Sequence, residues 1–332
     1  MAPPARTGAL VLSAMRQHPR VLLLGDLIEP LLDSSQTGGS FELLLCECQP
    51  GGGPPLHTHP QSELFFVLAG EVEFSGWIDG RWQVRRAGPG DACFIPGGAP
   101  HTFQAGADGL ARFLIFATPA GLGSFFAAAG VAVPPASFKA ALAAPPDFPR
   151  IAAAATQAGL ELGVSVPETW SGPQGCFAPA TQGQVRQVLA DVLREVAGST
   201  APGPGFLLFD DTQLPNGGIP LHTHAQPEVF FVLEGLFEFA TLDGGEPVAF
   251  TVGPGSAVYI PGGAPHSFRN ALDTPSRVLV YFPESSIRGF FEEAGLPVDL
   301  QAALGLPFRP EPAEIQRVLG VAAAHGMQFM LG

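Results

Sequence analysis

Apolar residues in this chain come in short runs, separated by punctuation rich in glycine and proline. The runs at 43–45, 63–68, 71–74, 93–95 and 112–117 are too short for helices. Their leucine, phenylalanine, valine and isoleucine content predicts β-strands. Many short strands joined by tight turns predict a mainly all-β chain, folded as an antiparallel barrel or jelly roll. Segments 123–130 and 151–162 read instead as short helices following the barrel. The first is expected to cover one barrel end, with Phe125 and Phe126 as packing residues. Segments 287–295 and 315–329 read the same way, and 184–196 reads as a helix or a pair of strands.

The pattern occurs twice. Leu68-Ala69-Gly70 is matched by Leu233-Glu234-Gly235, and Gly88-Pro89-Gly90 by Gly253-Pro254-Gly255, each 165 residues later. Ile95-Pro96-Gly97-Gly98-Ala99-Pro100-His101 returns as Ile260-Pro261-Gly262-Gly263-Ala264-Pro265-His266 at the same offset, and Phe125-Phe126 as Phe290-Phe291. No insertion or deletion interrupts the match from 51 to 130, which is the mark of internal duplication. A chain of 332 residues has room for two such domains, each with its own core. The expected domains are 1–165 and 166–332, with the boundary in the proline- and glycine-rich stretch 163–182. Trp170, alone in that stretch, is expected to be a packing anchor.

Composition removes several classes of function. A net charge of -14 disfavours nucleic acid, whose recognition needs a basic surface, and anionic membranes as well. No stretch approaches the ~20 apolar residues of a membrane span. Arg6 is not followed by an apolar run, so no secretory leader is expected and the cytoplasm is the expected compartment. The four cysteines do not suggest a disulfide framework. Cys46 and Cys48 would point the same way from one strand, a poor geometry for bridging, and buried thiols are expected there and at Cys93 and Cys176. Arg85-Arg86 reads as a solvated strand face, and His18 and His325 as surface or helix-end residues.

Six of the eight histidines fall into two equivalent sets. His57-Thr58-His59 is followed after three residues by Glu63, and His101 closes the set. His222-Thr223-His224, Glu228 and His266 repeat it. Residues two apart on a strand share a face, so each His-x-His pair is expected to point into its barrel. His101 and His266 would arrive from another hairpin, presented by the Pro-x-Gly turn. Three imidazoles and a carboxylate suit a divalent transition metal, one per domain: Fe, Mn, Co, Ni, Cu or Zn rather than Ca or Mg. Four ligands leave coordination positions open, which points to chemistry at the metal. Glu63 and Glu228 are then candidate general bases as well as ligands. Asn270 stands where the first copy has Ala105, and its amide is expected to serve a turn hydrogen bond.

Both motifs match the pattern of the cupin superfamily, and two copies make the chain resemble a bicupin. The resemblance covers nearly the whole chain. Thr37-Gly38-Gly39, the approach to His59, Phe65-Phe66-Val67-Leu68 and Thr118-Pro119-Ala120-Gly121 are similar to bacterial quercetin 2,3-dioxygenase-like cupins. That resemblance implies two tandem cupin jelly-roll barrels with short flanking helices. It also implies a small-molecule substrate, a flavonol or other enolisable aromatic, cleaved with dioxygen. The glutamate ligand would deprotonate the substrate hydroxyl. A non-oxidative cupin metalloenzyme (isomerase or decarboxylase) and a non-catalytic binding cupin are the alternatives. Oxalate is disfavoured because no arginine precedes the first histidine, where Pro54, Pro55 and Leu56 stand. The fused pair is expected to act as a monomeric two-barrel unit or a homodimer.

Overall fold

The computed structural model describes residues 10–12, 18–133, 145–198, 205–215, 217–243, 245–304 and 308–330. It divides into two compact units, one of residues 15–182 and one of 183–332 together with 1–14. The boundary therefore lies at 182/183, against the 165/166 read from the sequence. The shift has a physical basis, because Cys176–Ala178 pairs with Ala92–Ile95 and so completes the first unit's sheet. The equivalent strand of the second unit, Ala257–Ile260, is paired on that side by Leu10–Leu12 from the start of the chain. An open edge of unpaired backbone groups is thereby covered in each unit.

Each unit stacks an eight-stranded sheet on a five-stranded one. In the first, Asp26–Leu32, Glu42–Cys48, Ala111–Thr118 and Ser62–Ala69 run side by side through the larger sheet. The smaller sheet has the order Glu161–Leu162, His57–Thr58, His101–Ala105, Val72–Ile78 and Arg81–Ala87. All pairings are antiparallel among the named strands, as short strands joined by tight turns require. Along Val72–Ile78 burial alternates residue by residue, so one face meets the core and the other meets solvent.

The space between the sheets is filled by aromatic rings. Phe65, Phe74, Phe103 and Phe113 pack with centroids 4.9 to 6.4 Å apart in the first unit. Phe230, Phe239 and Phe268 do the same in the second, at 4.7 to 5.8 Å. Edge-to-face and tilted pairs of this kind contribute about 0.5–1.5 kcal/mol beyond the area they bury.

The helical readings hold with two corrections. Leu122–Ala129 and Arg288–Ala294 are helices, and Phe125 and Phe290 are buried beneath them. The second helix of the first unit is Phe148–Ala158 and stops short of the expected 162, because Gly159 turns left-handed (φ 67°) and releases the chain into the strand Glu161–Leu162. Pro312–Ala324 likewise ends before Gly326, and Gln328–Phe329 is a strand. The ambiguous segment 184–196 is a strand pair, Val185–Val188 with Asp191–Gly198.

Cys46, Cys48 and Cys93 are buried and Cys176 half-buried, all as free thiols. Trp170 packs on the first core and donates from its indole nitrogen to the Pro173 carbonyl. Arg86 is solvated and pairs with Glu73, while Arg85 lies over the Phe177 ring. His325 ends the last helix and meets Glu293, and the half-buried His18 precedes the strand Arg20–Leu23. Asn270 is the hub of a turn, donating to the carbonyls of Gln213 and Thr274 and accepting from Leu272 N–H and the Ser276 hydroxyl. Among the described residues no helix is long and apolar enough to cross a membrane.

Candidate metal centre

Register places the histidines before any side chain chooses a rotamer. His57 pairs directly with His101 across the small sheet, and His222 with His266. Their ring centroids are 4.3 and 4.1 Å apart. His59 follows on the same face as His57, just beyond the strand end. Its carbonyl accepts from Gly98 N–H at 2.7 Å, and the His224 carbonyl accepts from Gly263 N–H at 2.7 Å. Both glycines adopt φ 79°, and each preceding glycine leaves no room for a Cβ, which would lie about 2.1 Å from the Pro60 or Ala225 carbonyl oxygen. The repeated turn is therefore a clamp that holds the second histidine of each pair.

Glu63 enters from the opposite side, on Ser62–Ala69 of the large sheet, so the site bridges the two sheets. Its Oε2 lies 3.1 Å from His59 Nε2 and 3.0 Å from His101 Nε2. All four residues are buried, and their ligand atoms lie within 4.8 Å of one another. In the second unit the mutually close group is His222, His224 and His266. Glu228 meets two of them, with Oε1 3.3 Å from His224 Nε2 and 2.6 Å from His266 Nε2, but it is not part of that trio.

Hydrogen bonding assigns the imidazole protons. Nδ1 of His57 faces the Pro55 carbonyl at 3.0 Å, and Nδ1 of His101 faces that of Ala99 at 2.8 Å. His222 and His266 make the same contacts with Pro220 and Ala264, both at 2.9 Å. A carbonyl only accepts, so each Nδ1 carries the proton and each Nε2 turns a lone pair inward. Lone pairs and a carboxylate converging at 3 Å repel unless a cation sits among them. His266 Nε2 and Glu228 Oε1 are close yet form no hydrogen bond of acceptable geometry, which is the same mismatch in its sharpest form. The donor set fits a divalent transition metal.

Electrostatics agree for the first histidine of each set, whereas at His266 burial lowers the imidazole but Glu228 overcomes it and raises it. Burial, reinforced by the neighbouring His101 and His59, lowers His57 to about 3, and burial with His266 lowers His222 to about 3. Both are neutral, as a ligand must be. Burial pushes Glu63 and Glu228 up, but contacts with their histidines overcome it and hold both carboxyls well below the usual range.

A small cleft of about 50 Å³ opens onto the first site. His57, His59 and Glu63 form its floor, and Ile28, Phe103, Ile115, Phe125, Phe126 and Leu160 its apolar walls. The helix carrying Phe125 and Phe126 is held in place by Glu42, whose carboxylate accepts from Gly121 N–H at 3.0 Å and Gly123 N–H at 2.9 Å. Asp26 also lines the cleft. Sequence reasoning passed over it, although an aspartate recurs at Asp191, 165 residues on.

A family model described as the cupin domain matches residues 44–117 and again 212–282. The chain carries two cupin domains. Both matches fall on the strands that hold the histidines, and the bicupin architecture also recurs in solved structures. The oxalate decarboxylase of Lactobacillus farciminis is 16% identical over 82% of this chain and 85% of its own, with a TM-score of 0.57. That of Bacillus subtilis is 18% identical over 85% of this chain and 77% of its own, with a TM-score of 0.56. At such identity the likeness speaks for the fold. A dimethylsulfoniopropionate lyase of Ruegeria pomeroyi is 51% identical over 47 residues, which is 14% of this chain and 22% of that protein. The match spans about a fifth of that relative's length.

Proposed function

We propose that this bicupin is a metal-dependent enzyme of non-oxidative type, working in the first barrel. Its reaction on this reading is proton transfer at a carbon beside a carboxylate or carbonyl, as in lyases, isomerases and decarboxylases. The observation that carries the proposal is Glu63, an ionised carboxylate at the floor of an apolar cleft, sharing one oxygen between two histidines. His57, His59, His101 and Glu63 would hold a divalent transition metal, which supplies Lewis-acid polarisation of a substrate oxygen when bound. Glu63 has a second oxygen, Oε1, that neither histidine engages, and this atom receives the substrate proton. Phe125 and Phe126 keep the cleft apolar and so strengthen every charge interaction inside it.

The lining residues include no arginine or lysine, so a dianion such as oxalate has no counter-charge, in line with Pro54, Pro55 and Leu56 before the first histidine. The short match to a lyase supports non-oxidative chemistry, and the apolar walls support a substrate with a hydrocarbon body. The same walls favour one other reading, dioxygen-dependent cleavage of a planar flavonol-like compound.

The test is hydrogen exchange. Metal-reloaded protein is incubated under argon in D2O with a set of small carboxylates that carry α-protons, and NMR follows loss of the α-proton signal. Metal-dependent exchange that disappears in Glu63→Gln is the expected result. Exchange that survives in Glu63→Gln removes the base from the proposal. Metal-dependent dioxygen uptake with quercetin, without exchange, would replace the proposal by the dioxygenase reading.

A further inference from the structure

Asp26 and Asp191 occupy the same place in the two copies. Each follows a residue pair that begins in the left-handed region, Leu24 (φ 52°) and Leu189 (φ 51°). Each opens a strand and pairs in register with the last residue of the next one, Asp26 with Cys48 and Asp191 with Gln213. The difference lies in that partner. The Gln213 amide donates to Asp191 Oδ1 at 2.6 Å, so the second carboxyl is capped within the protein. Cys48 is shorter and a weaker donor: its thiol lies beside the carboxyl, yet Asp26 Oδ1 makes no hydrogen bond of acceptable geometry, although only 6% of the residue is exposed.

A buried acceptor without a partner costs about 1–3 kcal/mol, and Asp26 lines a cavity shared with His57, His59 and Glu63. We propose that Asp26 is the second polar contact for the ligand of the first barrel, and that the ligand carries a hydroxyl group at the end remote from its metal-binding carboxylate or carbonyl. This rests on the proposed function, which places a small carboxylate or carbonyl compound in the cleft.

A hydroxyl suits the position because it accepts from a protonated carboxyl and donates to an ionised one. Burial raises Asp26 to about 7, against a smaller opposing effect of the Cys48 thiol, so both forms are populated near neutral pH. A second carboxylate on the ligand would meet repulsion from the ionised form. A purely apolar end would leave Oδ1 unpaired. Asp26 therefore acts as a specificity residue, selecting hydroxylated over plain ligands.

The experiment uses Co(II)-loaded full-length protein and reads its visible spectrum during titration with benzoate, 3-hydroxybenzoate and 4-hydroxybenzoate. One of the hydroxy acids is expected to bind about tenfold more tightly than benzoate, the worth of one well-placed hydrogen bond. Asp26→Leu should erase that preference while benzoate binding persists. Asp26→Asn, close in shape and still able to hydrogen-bond, should keep most of it and guards against a folding defect in the leucine variant. Equal binding of all three acids by the wild type overturns the proposal, as does a preference that survives in Asp26→Leu. If none of the acids perturbs the cobalt spectrum, the carboxylate-binding cleft of the proposed function fails first and takes this inference with it.

Discussion

The two barrels share a ligand pattern but not what surrounds it. Around the first site Leu160 and Leu162 line the open cleft. The equivalent places in the second barrel hold Met327, close to leucine in size, and the larger Phe329, and Phe282 stands where the first barrel has Ala117. Phe329 stacks on His222 with centroids 5.6 Å apart, and Phe282 stands 6.2 Å from His224. Both follow from register: Leu162 and Phe329 each pair with the first histidine of their own barrel. The polar lining differs too. Asp211 replaces Cys46, is fully buried, and has no hydrogen-bond partner for either oxygen. Burial, then Asp191 and Asp210, push its carboxyl well above the usual range, so it is neutral in the fold. Duplication repeated the ligand pattern, while substitution placed phenyl rings against the histidines of the second centre.

The sharpest way to break this comparison is to remove one metal at a time. His101→Ala and His266→Ala should each lower metal content from about two to about one per chain, measured by elemental analysis. His101→Ala should also cut proton-exchange activity by about a thousandfold, the scale of several kcal/mol of lost Lewis-acid stabilisation. His266→Ala should leave that activity within about threefold. Equal losses from the two variants would place the chemistry in both barrels.

Next comes the phenyl wall. Phe282→Ala, which gives the second barrel the first barrel's residue, should cost about 3–5 kcal/mol by urea unfolding, since it empties a fully buried position. The reciprocal Ala117→Phe should block ligand binding in the first barrel, read by the cobalt titration. A cost below about 1 kcal/mol would show that the second barrel has room the wall does not fill.

The smallest effect concerns pH. The folded value of Asp26 is raised from 3.8 to about 7. Between these values the folded state binds more protons than the unfolded one, so this group's contribution falls as pH rises through the window. Asp26→Asn should therefore be the more stable protein at pH 8, by at most about 4 kcal/mol, with the advantage shrinking as pH falls toward 4. Asp191, itself raised to about 6 by burial, is present in both proteins and cancels from the difference. Parallel stability curves for the two proteins would mean that Asp26 is hydrated in the fold.

Much of this was readable without coordinates, because the relevant signals are local. The His-x-His pairs depend on strand alternation alone, and the glycine clamps on backbone sterics. Asn270 was read correctly as a turn residue, though nothing in its neighbours indicated a hub of five hydrogen bonds. The helix ends were misjudged by a few residues where an alanine-rich run hid the stop at Gly159. The boundary at 182/183 could not be read from composition, since it depends on which sheet edge the strand Cys176–Ala178 joins. Asp26 was missed for a related reason. A lone aspartate after a glycine reads as a turn, and only the pairing with Cys48 instead of a glutamine leaves its Oδ1 without a well-formed hydrogen bond beside the cleft.

By itself, then, the order of residues determined the duplicated β-architecture and the six histidines that gather in two sets of three, because strand period and turn chemistry act over a few residues. The tertiary structure alone decided that each glutamate contacts two of its histidines but only Glu63 falls within the 4.8 Å group of all its ligand atoms, and that one centre opens onto a cleft while Phe282 and Phe329 lie against the other. Those outcomes depend on ångström-scale packing between two sheets, where residues far apart in the chain compete for the same volume.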